Sequence, residues 1–467
     1  MSSAPPGPRP HLQGENVPSF CGIADIFAWI ALDSRGTPTV AARTRLTSGA
    51  IGQASVPSGA SAGSHEAHEL RDGGTRYGGR GVSIAVAKII NEIRPLLLAR
   101  DARDMEALDS VMRSADGTSD LSSLGANAIL AVSLSSAIAV ANHDGEPLYR
   151  SLLGGQRPLL PMPMINIISG GAHAAHSLDI QDVLVMPVGA ATFSQAIEWS
   201  WEIRRAATHL IKERAGNLAS LLVADEGGLA MNFTSNAAAM ELVVDAITAV
   251  GLTPGRDVSL AIDVAANELF DKATGEYVLR LDDRRLSSDD MRELVVSWSR
   301  TFPIVSIEDP LAEDDWDAWE AISGQLNHQV QLVGDDLLVT QSQRLARAVE
   351  RGVANAVLVK VNQVGSLVAA HSTLVEAQGF GYATVVSARS GDTEDAWLAD
   401  LAVGWRSGQI KIGSLTRSER LAKYNRLLQI EAEEGPSADF AGASCIAGPR
   451  SSRYPSETGF RVDDGDV

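Results

Sequence analysis

From Asp257 onward the chain repeats one unit, a short β-branched run ending in a polar residue and then an amphipathic helical stretch. The runs are VSLAI before Asp263, IVSI before Glu308, VQLVG before Asp335, NAVLV before Lys360, ATVV before Ser387 and QI before Lys411. After a longer first step the polar ends recur every ~25 residues, the length of one strand, one helix and two loops. That rhythm confines the region to an α/β fold with a parallel sheet, as a (β/α) barrel or a doubly wound sheet. No glycine fingerprint for a dinucleotide or nucleotide phosphate follows any of these runs, which disfavours a wound sheet that binds nucleotides.

The first third reads differently. Residues 21–62 alternate apolar and small residues between turn signals such as DSRGTPTV, as strands do. Apolar positions then recur at helical spacing over Val82 to Leu98 and Ala126 to Ala141. The run ANAILAVSLSSAIAVA is too short and too rich in Asn and Ser to span a bilayer, so it is expected as a buried core helix. The texture changes at PLLPMPMINI (Pro158 to Ile167). These shifts divide the chain into a disordered arm over 1–20, a mixed α+β domain over 21–150, a barrel over 151–431 and a tail over 432–467. The tail is rich in Ser, Gly, Pro and Asp and is expected to be disordered.

Lys+Arg 39 against Asp+Glu 58 leaves a net charge of −19, which repels nucleic acid and anionic membrane surfaces. The N-terminal segment MSSAPPGPRPHLQGENVPS has neither the basic start nor the apolar run of a secretory signal and predicts a cytoplasmic protein. Cys21 and Cys445 show no metal-type spacing and read as free thiols. Lysine is scarce beside arginine and occurs only at Lys88, Lys212, Lys272, Lys360, Lys411 and Lys423.

In a parallel barrel the C-terminal ends of the strands converge on one mouth, so Asp263, Glu308 and Asp335 are expected to face one another. Three carboxylates forced together repel unless a cation neutralises them, and an all-oxygen set suits a hard ion such as Mg2+. The bland alternative has each acid capping a helix or solvated on a loop. Lys360 and Lys411 end two further strands; an ammonium beside a metal and a second ammonium is pushed down from about 10.4 toward neutrality and can serve as a base. Alone, either lysine reads better as a side chain snorkelling at the barrel rim. Two HxxH pairs, His65 with His68 and His173 with His176, lack the further ligand spacing of a zinc motif.

Across roughly Ile23 to Glu431 the sequence resembles the enolase family, through DSRGTPTV, VPSGASAG, MPMINIISGGAH, DEGG, SIEDP, QLVGDDL, LVKVNQVGS, SGDTEDAWLADLAVG, GQIKIGSL and RLAKYNRLLQIE. The resemblance implies an α+β cap on a barrel of ββαα(βα)6 type, in a dimer or an assembly of dimers, acting on a small phosphorylated carboxylate. By motif it makes Asp263, Glu308 and Asp335 the Mg2+ ligands, Lys360 the base, Glu226 the acid for the departing hydroxyl, and Lys411 the group that steadies the enolate with the metal. His173, Asp182, Arg389 and Ser390 become substrate contacts, and Ser61 closes over the site on a second Mg2+.

Departures cluster around the substrate. The chain reads SARS, with Ala388 where the family has histidine, and Gln181-Asp182 where the family has Gln-Glu. Ala62, Ala224 and Ser169 also replace family residues. The groups for enolate formation are intact while those at the phosphate end and leaving group are altered. Three activities remain open: dehydration of 2-phosphoglycerate to phosphoenolpyruvate, action on a related phospho- or phosphono-carboxylate in the manner of carboxyphosphonoenolpyruvate synthase of phosphinate antibiotic biosynthesis, and a non-catalytic role.

Overall fold

The computed structural model describes residues 20–59, 63–174 and 176–448. Of the arm expected over 1–20 only Phe20 falls among them, while Ser61, Ala62 and the tail beyond 448 lie outside. Three antiparallel strands in sequence order, Ile23–Leu32, Pro38–Leu46 and Ile51–Ser55, form the sheet of the first domain. Helix Ala126–Asp144 packs across the second and third strands. It is apolar on every face because it is buried on nearly every face. Among the described residues it alone has the length and apolarity to cross a membrane, and its place in the core accounts for that composition. Gly52 permits the close packing, since a Cβ there would lie 2.1 Å from the Ser135 carbonyl oxygen. The intervening Thr44 and Ser135 hydroxyls satisfy each other at 2.8 Å. Helix Met105–Asp116 falls in a stretch the periodicity left unassigned; Asp104 caps it by accepting from the Ala107 N–H, and Leu108 and Met112 form its narrow buried stripe.

The second domain is a closed eight-stranded barrel in the order Ile304–Glu308, Gln331–Gly334, Ala356–Val359, Ala383–Ser387, Gly408–Gly413, Met162–Ser169, Asp182–Met186, Ser259–Asp263. The six runs read from the rhythm are all present as strands. Strand Asp182–Met186 runs antiparallel to both neighbours, and two helices, Phe193–Ala215 and Asn236–Ala249, follow it before the next strand. The order is therefore ββαα(βα)6. The long first step between Asp263 and Glu308 holds a three-stranded ribbon, Phe270–Asp271, Glu276–Leu279 and Arg284–Leu286, and then helix Ser288–Thr301, whose start is fixed by a Ser287–Asp290 capping box.

The expectation of disorder from residue 432 fails over 432–448. Helix Ser418–Glu434 continues past that boundary, and Asp439–Phe440 pairs with Leu159–Leu160. Ile446 is buried among Met162, Met164, Met186 and Val333, at the barrel end opposite the polar strand termini. Beside it the Gln331 and Gln409 amides bond reciprocally at 2.8 and 2.9 Å, and they reach the tail through the Cys445 carbonyl and the Ala447 N–H. A segment whose large apolar residues are only Phe440 and Ile446 orders here because it docks on a surface already formed by the barrel.

Candidate active site

Strand register assembles the site. Glu308 pairs with Asp263, and Ser387 with Lys411, in the parallel ladder. The reversed strand offers its first residue to the same mouth, which sets Asp182 level with Ser169 and Asp263. Asp182, Glu226, Asp263, Asp335, Lys360, Ala388, Arg389, Ser390 and Lys411 all line one cavity of about 50 Å³ at this mouth, a space suited to a small ligand.

The Lys411 Nζ lies 2.7 Å from both Asp263 Oδ2 and Glu308 Oε2. Lys360 Nζ donates to Asp335 Oδ2, and Gln363 Nε2 donates to Asp335 Oδ1 at 2.9 Å. The three acids expected to share an ion are thus divided between two ammonium groups. Among the described residues, the carboxylates whose oxygens lie within 4.8 Å of one another are Asp309, Asp335 and Asp336. Asp309 accepts from the Asp335 and Asp336 N–H groups at 3.0 and 2.8 Å, which fixes the turn that carries them.

Crowding shows in the proton equilibria. Burial, then the charge of Asp263, lifts Glu308 well above the carboxylate range; burial and Asp336 do the same to Asp309. Burial and Asp335 push Asp336 up to about 7. Burial would raise Asp335 too, but the Lys360 ammonium outweighs it and holds that acid low. One oxygen of Glu308, Oε1, is buried without a hydrogen-bond partner. More carboxylate than ammonium, an orphaned carboxylate oxygen and an all-oxygen donor set fit a hard divalent cation such as Mg2+.

The lysines depart from expectation. Burial pulls both down, yet Asp335 outweighs it at Lys360, and Asp263 with Glu308 outweighs it more strongly at Lys411, so both ammonium groups sit above the ordinary lysine value. The downward shift expected for Lys360 required a cation beside it, and here its nearest charge is a carboxylate.

Glu226 stands on the tight turn of DEGG, where the Ala224 N–H meets the Gly228 carbonyl and the Gly227 N–H the Ala224 carbonyl. The Ser414 N–H donates to the Glu226 carbonyl at 2.9 Å. Gly413 makes that approach possible with φ +118°, for a Cβ there would lie 2.8 Å from the same carbonyl oxygen. Asn166 Nδ2 reaches Glu226 Oε2 at 3.4 Å, and Ser169 Oγ donates to Asp182 Oδ1 at 2.7 Å. The Arg389 guanidinium is held from the cap domain by Glu66, at 3.0 and 3.2 Å, and bonds Asn362 Oδ1 at 3.1 Å. His173 lies on the turn Gly171–Ala174 next to this mouth, although its side chain, like Ser61, lies outside the described residues.

The family model described as "Enolase, N-terminal domain" matches residues 23–152, and that described as "Enolase, C-terminal TIM barrel domain" matches residues 157–448. The chain belongs to the enolase family. Membership agrees with the strand order and with the gathering of two lysines and three acids at one mouth, and it makes the protein an enolase-like enzyme of the lyase type.

Glu66, Asp309, Asp336 and Gln363, all at or beside this enolase-type site, were not singled out from the sequence, and Gln181 was noted only as the neighbour of Asp182. The signals were adjacent: Asp309 lies in SIEDP, Asp336 in QLVGDDL, Gln363 in LVKVNQVGS, and Gln181 precedes Asp182. Glu66 had no such signal, because its partner is 323 residues away in the other domain.

Proposed function

We propose that the protein dehydrates 2-phosphoglycerate to phosphoenolpyruvate, removing a proton from the carbon next to the carboxylate. The observation that carries this reading is the pairing of Lys360 with Asp335 and of Lys411 with Asp263 and Glu308, both lysines lining one cavity with Glu226. In its neutral amine form, Lys360 takes the proton from carbon onto its free electron pair as the C–H bond breaks. Lys411 donates to the carboxylate oxygens, which carry the added negative charge. Glu226 gives its proton to the β-hydroxyl, which leaves as water as the C–O bond breaks and the double bond forms. Arg389, a planar fork, and Ser390 receive the phosphate. Asp263, Glu308 and Asp335 would hold a Mg2+ ion, which would supply positive charge beside the substrate carboxylate.

A second reading is favoured by two residues. Ala388 presents only a methyl group to the cavity, and Asp182 is short and already engaged by Ser169, so a phospho- or phosphono-carboxylate of different bulk or leaving group would find room. Activity measured by phosphoenolpyruvate absorbance, with Mg2+ and 2-phosphoglycerate and with Lys360→Ala as control, separates the readings. Robust turnover supports dehydration, and Ala388→His should raise it. Solvent exchange of the substrate α-proton without turnover would remove 2-phosphoglycerate dehydration and leave the second reading. Neither turnover nor exchange would sink the proposal.

A further inference from the structure

The motif RLAKYNRLLQIE contributes no group to the proposed chemistry, yet it carries two of the most deeply buried cations in the protein. Arg420 and Lys423, on helix Ser418–Glu434, are 0% and 1% exposed. Arg420 Nη1 donates to the carbonyls of Arg389 at 2.7 Å and Ile412 at 3.0 Å, and Nη2 donates to the carbonyl of Ser390 at 2.6 Å. Lys423 Nζ bonds Asp392 Oδ1 at 2.7 Å, the Glu419 carbonyl at 2.8 Å and the Thr393 carbonyl. Asp392 in turn accepts from the Arg389 N–H at 3.4 Å.

These bonds join two segments. One is the loop after strand Ala383–Ser387, which presents Arg389 and Ser390; the other is the end of strand Gly408–Gly413, where Ile412 follows Lys411. From the opposite side the loop is tied to the cap, through paired main-chain bonds between Ser58 and Gly391 at 2.7 and 2.9 Å and through Ser34 Oγ on the Ser390 carbonyl at 3.2 Å.

Glu419 Oε1 lies 3.5 Å from Arg420 Nε, but the two terminal nitrogens of the fork meet only neutral carbonyls; burying a guanidinium in this way is costly, and an apolar side chain of similar size fills a core at least as well. What the guanidinium adds is direction: a rigid fork of donors sets three carbonyl oxygens at fixed separations. We propose that Arg420, supported by Lys423, is a positioning residue that holds the anion-contacting loop Arg389–Asp392 in register with the strand end bearing Lys411. The assignment rests on the reading of Arg389 as the substrate's anion contact. A misplacement of about 1 Å in such a group can cost on the order of a hundredfold in rate.

The test uses the full chain with Mg2+ and inorganic phosphate as the probe. Phosphate affinity is measured calorimetrically for wild type, Arg389→Ala, Arg420→Met and Arg420→Lys, with circular dichroism and melting temperature recorded for each. Arg420→Met is expected to bind phosphate at least tenfold more weakly than wild type at a temperature where it is fully folded, approaching Arg389→Ala. Arg420→Lys, which keeps the charge but not the fork, should fall between them. Wild-type affinity in the Arg420 variants beside a weakened Arg389→Ala would overturn the proposal even if their melting temperatures drop, and Arg420→Lys decides if Arg420→Met does not fold. Equal phosphate binding by wild type and Arg389→Ala, or none by either, would overturn the reading of Arg389 itself and the positioning role with it.

Discussion

The two ends of the barrel solve opposite problems with the same eight strands. At the mouth, Lys360 and Lys411 are clamped by Asp335, Asp263 and Glu308, and charges are crowded beyond what the side chains can neutralise. At the floor, Met162, Met164, Met186 and Val333 pack on Ile446 of the tail, and the polar atoms of Gln331 and Gln409 satisfy each other. The difference separates reactivity from stability. The floor is largely apolar and its two glutamine amides are paired, so it holds the fold, whereas the mouth keeps unmet electrostatic demand that a ligand can answer.

The largest expected effect is at the mouth. Lys360→Ala should lower turnover by about 10²–10⁴-fold with unchanged circular dichroism, as loss of a positioned base does. Turnover within tenfold of wild type would show that another group takes the proton.

Second in size is truncation at the floor. Ile446→Ala should cost about 2–5 kcal/mol in urea unfolding, the range for large-to-small changes in a core, and leave kcat of the folded enzyme unaltered. An equal effect on kcat and stability would erase the contrast between the two ends.

Third, if the mouth lacks positive charge, Mg2+ should stabilise the protein by about 2.7 kcal/mol at a hundredfold excess over its dissociation constant. Asp335→Asn should abolish most of that shift in melting temperature. A Mg2+ shift that survives the substitution would place the ion elsewhere.

The smallest effect concerns pH. Burial depresses the His371 imidazole, which stacks on Trp405 with ring centroids 5.3 Å apart. The folded state therefore resists a proton that the unfolded chain takes up near pH 6.5. This contribution is fully present above that pH and is lost as the pH falls below it. In His371→Gln, unfolding free energies from pH 5 to 7 should slope less than in wild type, and identical slopes would rule the group out.

How much was legible follows from the same contrast. Parallel strands buried on both faces read as apolar runs, and their polar ends are exceptions that stand out, which is why Asp263, Glu308, Asp335, Lys360 and Lys411 could be picked from the sequence. Asp182 came only through family resemblance, because the first residue of a reversed strand carries no such mark. The tail was misread because its polarity hid Phe440 and Ile446, two contacts that matter only once the barrel exists. The downward lysine shift expected from the sequence belongs to a site with a cation beside the ammonium groups, whereas the side chains alone supply carboxylates, which raise both.

The Glu66 grip on Arg389 has a further consequence. An arriving anion does not simply add to a waiting guanidinium; it must compete with a carboxylate that already occupies the fork. A singly charged acid exchanges one monoanion for another and gains little, whereas a doubly charged phosphoryl or phosphonyl group gains the excess charge. On the proposed reading of Arg389 as the anion contact, discrimination by valence would arise at the junction of the two domains, before any contact with the rest of the substrate is made.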